Sequence, residues 1–114
     1  MLQINMPEPT ELKKFWQCWK KLKIDFPTTK CVRVKLKARL FLDGHRVYGV
    51  CKYSEKLDTY TIHIEHNKDI SIMIDTLWHE YAHALAWVQG SKTNKHCKKF
   101  FLIYGNIYRK YMDN

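Results

Sequence analysis

The sequence predicts an α+β fold: an N-terminal helix, a three-stranded antiparallel sheet and two further helices, in that order along the chain. Apolar residues recur at helical spacing before residue 27 and after residue 67, and they alternate with polar residues between Cys31 and Glu65. The chain has 114 residues, of which 46% are hydrophobic. We therefore expect residues 1–114 to form a single domain around one core.

The first helix is predicted after Pro7 and Pro9, with Thr10 as its N-cap and Pro27 beyond its end. One face is apolar and the other carries lysines. We expect the apolar face to be buried and its tryptophans to belong to the core rather than to stack on bases. The apolar positions are Leu12, Phe15, Trp16, Trp19 and Leu22.

Three strands are predicted next, because the period of the apolar residues changes to two. In the first strand the apolar residues are Val32, Val34, Leu36, Ala38 and Leu40. They alternate with a basic row that consists of Arg33, Lys35, Lys37 and Arg39. Asp43 and Gly44 indicate a turn. The second strand contains Val47, Tyr48, Val50 and Tyr53, and the third contains Tyr60, Ile62 and Ile64.

Two helices complete the prediction, because the period returns to 3.6 after Asn67. The first is long and mostly buried, and Gly90 can end it with a left-handed cap. Its apolar stripe is Ile70, Ile74, Leu77, Trp78, Tyr81 and Leu85. Thr93 or Asn94 can cap the last helix. The inward positions of that helix are Phe100, Ile103, Tyr104, Ile107 and Tyr111.

The composition excludes several classes of protein. No run of 18 uncharged apolar residues occurs, and the first ten residues do not follow the pattern of a signal peptide. The four cysteines form no C-x-x-C pair, so a zinc ribbon is excluded as well. We expect an intracellular, cytoplasmic protein with reduced thiols and no membrane association.

The positive charge is concentrated in one half of the chain. The net charge is +9, and residues 1–57 hold thirteen Lys/Arg against five Asp/Glu, whereas residues 58–114 hold seven against six. Such asymmetry favours an acidic partner. We expect the basic row to bind DNA weakly and without sequence preference. A face that serves only solubility is the alternative.

The long predicted helix contains the pattern H-E-x-x-H, formed by His79, Glu80 and His83. Histidines four residues apart lie one turn apart on the same helix face, so both rings can bind one Zn²⁺. Glu80 points to the flank of that face, where its carboxylate can take a proton from a water bound to the metal. Two surface histidines beside a helical glutamate are the alternative, which the apolar opposite face of the helix disfavours.

A catalytic zinc usually has a third protein ligand and one open position. We favour His96, because residues 90–95 can span up to about 20 Å and the chain must travel back only about 10 Å. The alternative is that His96 is an exposed residue in a lysine-rich segment. The candidates are His45, His63, His66, His96, Cys97 and Asp75, with His63 and His66 next after His96.

Residues 76–85, T-L-W-H-E-Y-A-H-A-L, followed after a polar loop by His96 and Phe100, resemble the SprT-like zinc metallopeptidases, which include the Spartan DNA–protein crosslink proteases. The resemblance implies a minimal zincin-like metalloprotease with one Zn²⁺ per chain, bound through His79, His83 and His96. It implies that Glu80 is the general base and that the substrate is a protein or peptide, such as a protein on DNA. One residue departs from the family pattern: Cys97 stands where family members usually have Gly.

Two other functions stay open: a peptidase of regulatory proteins such as repressors, and a nucleic-acid-binding module with a structural zinc and no hydrolysis. Glu80 disfavours the binding module, because a structural site needs ligands but no base. Other polar residues also have candidate roles. Asp75 can accept a hydrogen bond from His79. Tyr104 and Tyr108 can stabilise an oxyanion or belong to the core. The strand over residues 60–65 can pair with an extended substrate.

Overall fold

The computed structural model describes residues 6–88 and 96–112. Their elements are α1 (Pro9–Asp25), β1 (Cys31–Lys37), β2 (Phe41–Leu42), β3 (His45–Arg46), β4 (Gly49–Ser54), β5 (Thr59–Glu65), α2 (Ile70–Ala86) and α3 (Lys98–Met112). The predicted α+β class, with one helix before the sheet and two after it, is confirmed. The predicted caps Gly90, Thr93 and Asn94 lie outside the described residues.

The main sheet has three strands in the order β1-β5-β4 and is mixed rather than antiparallel. β4 pairs antiparallel with β5, but β1 pairs parallel with β5. The prediction of a wholly antiparallel sheet is therefore wrong. The reason is that β5 inserts between the two earlier strands. Most of its residues are buried on both faces, as is typical of a central strand.

A second, two-stranded sheet is the hairpin formed by β2 and β3. Asp43 and Gly44 join its strands with φ angles of 52° and 80°. Two successive positive φ angles are typical of a type I′ hairpin turn, so the predicted turn is confirmed. The predicted second strand is interrupted, since Val47 and Tyr48 belong to neither β3 nor β4.

The helices pack around α2, which contacts α1, α3, β4 and β5. Its N-cap is Asp69, whose side chain accepts a hydrogen bond from the Ser71 backbone N–H at 3.0 Å. Trp16 is 38% exposed, so the prediction that both tryptophans of α1 are buried holds only for Trp19. The largest fully buried side chains of the described residues are Phe15, Leu22, Ile62, Ile64, Met73, Leu77, Tyr81, Phe100 and Ile107.

The end of α2 is capped by a lysine from a distant segment. Lys30 Nζ donates hydrogen bonds to the carbonyls of Ala84, Leu85 and Trp87 at 2.9, 3.1 and 2.8 Å. These carbonyls have no partner inside the helix, and a cation there also complements the helix dipole. The helix ends at Ala86, because Trp87 has an extended backbone with φ −60° and ψ 125°, and so it stops before the position of Gly90. Within residues 6–88 and 96–112, no helix combines the length and apolarity needed to span a membrane.

Candidate metal centre

Two histidines and a glutamate project from consecutive turns of α2. His79 and His83 lie one turn apart, with ring centroids 4.7 Å from each other. His83 and Glu80 are buried, and the His79 side chain keeps 34% of its exposure. The i, i+4 spacing thus gives the arrangement that the H-E-x-x-H pattern predicts.

His96 joins these two histidines from the segment just before α3. Its ring centroid lies 5.2 Å from that of His79 and 4.7 Å from that of His83. The metal-ligating atoms of the three histidines all lie within 4.8 Å of one another, so the three can hold a metal ion. Among the described residues this group has no fourth member. The other candidates are outside it, namely His45, His63, His66, Cys97 and Asp75.

Phe100 forms one wall of the histidine cluster. Its ring stacks on His83 at 4.1 Å and lies 4.8 Å from His96 and 5.0 Å from His79. The side chain is 1% exposed, so it limits the rotation of all three imidazoles. The sequence suggests only a core role for Phe100. Its position one turn after His96 is what places its ring against that histidine.

Glu80 lies against the rim of the cluster. Its Oε2 is 2.9 Å from His79 Nδ1. When Nδ1 carries the proton, it donates to Glu80, and the lone pair of His79 Nε2 can bind a metal. Cys51 is close by, and burial, followed by the charge of Glu80, raises the pKa of its thiol to about 12. Cys51 is therefore a neutral thiol at physiological pH. None of the four cysteines forms a disulfide.

Asp75 has a different partner from the one expected. Tyr104 Oη donates to Asp75 Oδ1 at 2.6 Å, and the Tyr104 ring lies 5.4 Å from that of His79. Burial and this hydrogen bond raise the pKa of Tyr104, so its hydroxyl stays protonated. The pair joins α3 to α2 beside His79. Tyr108 packs edge-on against Trp78 but is 42% exposed, so it is a surface residue and not part of the core.

A cleft of about 790 Å³ runs past the cluster. Residues of the edge strand β4 line it, as do Leu42 and Asp43 of the hairpin. β5 is the central strand, so the prediction that residues 60–65 pair with a substrate is wrong, and β4 has the free edge instead. The residues that line the cleft are Leu42, Asp43, Gly49, Val50, Cys51, Lys52, Tyr53, Glu80, His83, Trp87 and His96.

Gly49 brings β4 and α2 close together at this cleft. A Cβ at this position would overlap Thr76 Cγ2 and would lie 3.2 Å from Glu80 Cγ. Only glycine therefore allows the strand to start directly against the helix turn that carries Glu80. A glycine inside a predicted strand is a signal of such close approach, and sequence reasoning missed it.

Only three of the four residues of the basic row lie on one strand. Arg33, Lys35 and Lys37 are exposed on β1, which is the edge strand opposite β4. Arg39 is exposed but lies beyond the end of β1, so the prediction of four cations on one strand is wrong for it. The register places Lys52 level with Arg33, across Thr61, and hence on the same face of the sheet.

His63 lies among these cations at the centre of the sheet, where Lys35 is its register partner. Burial, and then the charges of Lys37, Lys52 and Lys35, lower its pKa. We call the four cations Arg33, Lys35, Lys37 and Lys52 the basic face.

Taken together, the fold and the histidine cluster define an α+β protein with a candidate metal site on an H-E-x-x-H helix. The model of the SprT-like family matches residues 13–112, and the chain belongs to this family. Neither the comparison with curated proteins nor that with solved structures found a match.

Proposed function

We propose that this protein is a zinc-dependent metallopeptidase that hydrolyses peptide bonds with Glu80 as general base. The observation that supports this most is that three imidazoles cluster beside a buried carboxylate, and that Glu80, His83 and His96 of this group line a cleft bordered by an edge strand. Imidazole suits zinc, and three protein ligands with an open position are typical of catalytic rather than structural zinc sites. The SprT-like family, which is generally associated with zinc metallopeptidase-like proteins, supports the same activity.

The metal and the residues of the cleft would have different roles in hydrolysis. Zinc, when bound, polarises the scissile carbonyl and lowers the pKa of water. The Glu80 carboxylate takes a proton from the attacking water and passes it to the nitrogen of the leaving amine. The contact between His79 Nδ1 and Glu80 Oε2 holds the carboxylate beside the ligands.

The substrate is held by the free edge of β4. Within the described residues this strand pairs only with β5, which leaves its other row of backbone N–H and C=O groups available. An extended peptide can add to that edge as a further strand. Because β4 and Glu80 line the same cleft, such a peptide passes directly in front of the general base.

We also propose that the basic face binds DNA and brings the enzyme to proteins near it. Its four cations are exposed, and Lys52 belongs both to this face and to the lining of the cleft. Phosphate contacts of this kind give salt-dependent binding without sequence preference. If DNA does not bind there, a peptidase of regulatory proteins is the better proposal. A binding module with a structural zinc needs no base, so the buried Glu80 counts against it.

The metal site is tested by measuring the zinc content of purified variants by mass spectrometry. We expect one Zn²⁺ per chain in the wild type, none in His79→Ala or His83→Ala, and strongly weakened binding in His96→Ala. His45→Ala is the control, because His45 lies in the hairpin outside the cluster. Full zinc affinity in His96→Ala together with its loss in His63→Ala would show that the third ligand is misassigned.

A further inference from the structure

The hairpin of β2 and β3 reaches the cleft with its turn. Leu42 and Asp43 line the same cleft as Glu80, His83 and His96, although they lie far from them in sequence. The chain continues from the hairpin into β4, which borders the cleft. A peptide added along β4 therefore lies in a cleft that Leu42 also lines.

The base of the hairpin is fixed to the end of β5 by a buried carboxylate. Glu65 is 4% exposed and accepts hydrogen bonds from the Leu40 backbone N–H at 2.8 Å and from Arg46 Nε at 2.9 Å. Backbone bonds from Val47 N–H to the Leu40 carbonyl, at 3.0 Å, and from Glu65 N–H to the Tyr48 carbonyl, at 2.9 Å, add to this attachment. The hairpin thus has a fixed position relative to the cleft.

The two residues of β2 point to opposite sides. Successive side chains of a strand alternate, so Leu42 lines the cleft whereas Phe41 is not part of its lining. Leu42 is 45% exposed and Phe41 is 57% exposed. Both are large apolar side chains in contact with solvent, but of the two only Leu42 lines the cleft.

We propose that Leu42 is a specificity-determining residue that binds an apolar side chain of an extended substrate at the hairpin end of the cleft. This inference rests on the proposed function and names its substrate class, which is unfolded or extended polypeptide with an apolar residue at this position. A helical segment does not fit, because only an extended backbone can pair with β4 and present a side chain to Leu42.

The experiment uses the zinc-loaded, full-length Glu80→Gln variant, so that binding is measured without hydrolysis. The probes are fluorescein-labelled peptides of Gly, Ser and Thr that carry a single Leu at successive positions. Fluorescence anisotropy then gives the affinity for each position of the Leu. The same series is measured with Leu42→Ala added, and with Phe41→Ala added as the matched control from the same hairpin.

We expect the tightest-binding peptides of the series to lose affinity by about tenfold or more in Leu42→Ala. Phe41→Ala should keep their affinity, because its side chain lies outside the cleft. Unchanged affinity in Leu42→Ala, an equal loss in both variants, or no binding of any peptide would overturn the proposal. Peptide binding through Leu42 by a protein whose wild type hydrolyses nothing would refute the proposed activity instead.

Discussion

Replacing Gly49 by alanine tests how tightly β4 and α2 are joined at the cleft. The added methyl group would overlap Thr76 Cγ2 and lie 3.2 Å from Glu80 Cγ and 3.3 Å from the His63 carbonyl oxygen. These three contacts come from both α2 and β5, so the methyl group has no side on which to relax. Overpacking of this kind costs about 1–3 kcal/mol, which lowers the melting temperature of a domain of this size by about 4–12 °C.

A second substitution separates the effect on stability from the effect on Glu80. Thr76→Ser removes Cγ2 but keeps the hydroxyl that donates to the Ile72 carbonyl. We expect Gly49→Ala with Thr76→Ser to regain most of the lost stability. The contact with Glu80 persists in this double variant, so kcat should stay about 3- to 10-fold below that of the wild type.

Calorimetry and peptide hydrolysis by the single and double variants provide the assay. Gly105→Ala is the control, because a methyl group there meets nothing closer than Arg109 Nη2 at 4.0 Å. This change in α3 should stabilise the protein by about 0.5–1 kcal/mol. A Gly49→Ala protein as stable as the wild type, or a double variant with no recovery, would refute the close packing.

Three further predictions concern the capping lysine, the sheet histidine and the basic face. Lys30→Met removes the ammonium that caps α2 and should lower the free energy of unfolding in urea by about 1–2 kcal/mol, since burial offsets part of the gain from its hydrogen bonds. The lowered pKa of His63 means that the folded state binds fewer protons than the unfolded state, so the stability of the protein falls as pH drops below about 6.5. His63→Gln should flatten this pH dependence in melting curves recorded between pH 5 and 8. Changing Arg33, Lys35 and Lys37 to Gln should flatten the slope of log K against log [salt] for single-stranded DNA by about 2, with zinc content unchanged. An unchanged slope would mean that the basic face serves only solubility.

The parts of the site that depend on local spacing were predictable from the sequence. His79, Glu80 and His83 lie on one helix, so their arrangement follows from 3.6 residues per turn. The length of chain between the helices made the return of His96 feasible, and the resemblance to the SprT-like family favoured it over an exposed position. The pair Asp43 and Gly44 predicted a turn on local grounds alone, and both residues adopt positive φ angles in the hairpin.

The features that depend on contacts between distant segments were not predictable. Alternation of apolar residues shows that a segment is a strand but does not say which strand it pairs with, so the central place of β5 was missed. Arg39 was assigned to the first strand, but the chain turns away after Lys37 toward Leu40, whose backbone N–H donates to Glu65. That hydrogen bond joins residues that are 25 positions apart in the sequence, so no local sequence pattern predicts it.

The central claim is that Glu80 is the base of a zinc peptidase, and Glu80→Gln tests it most directly. The amide keeps nearly the same size and leaves the three histidines in place, but it cannot take the proton. Zinc content and casein hydrolysis are measured on the same preparations of wild type and variant. We predict one Zn²⁺ per chain in both and hydrolysis that is lower by about 10²-fold or more in the variant. Equal hydrolysis by the two zinc-loaded proteins would contradict the account.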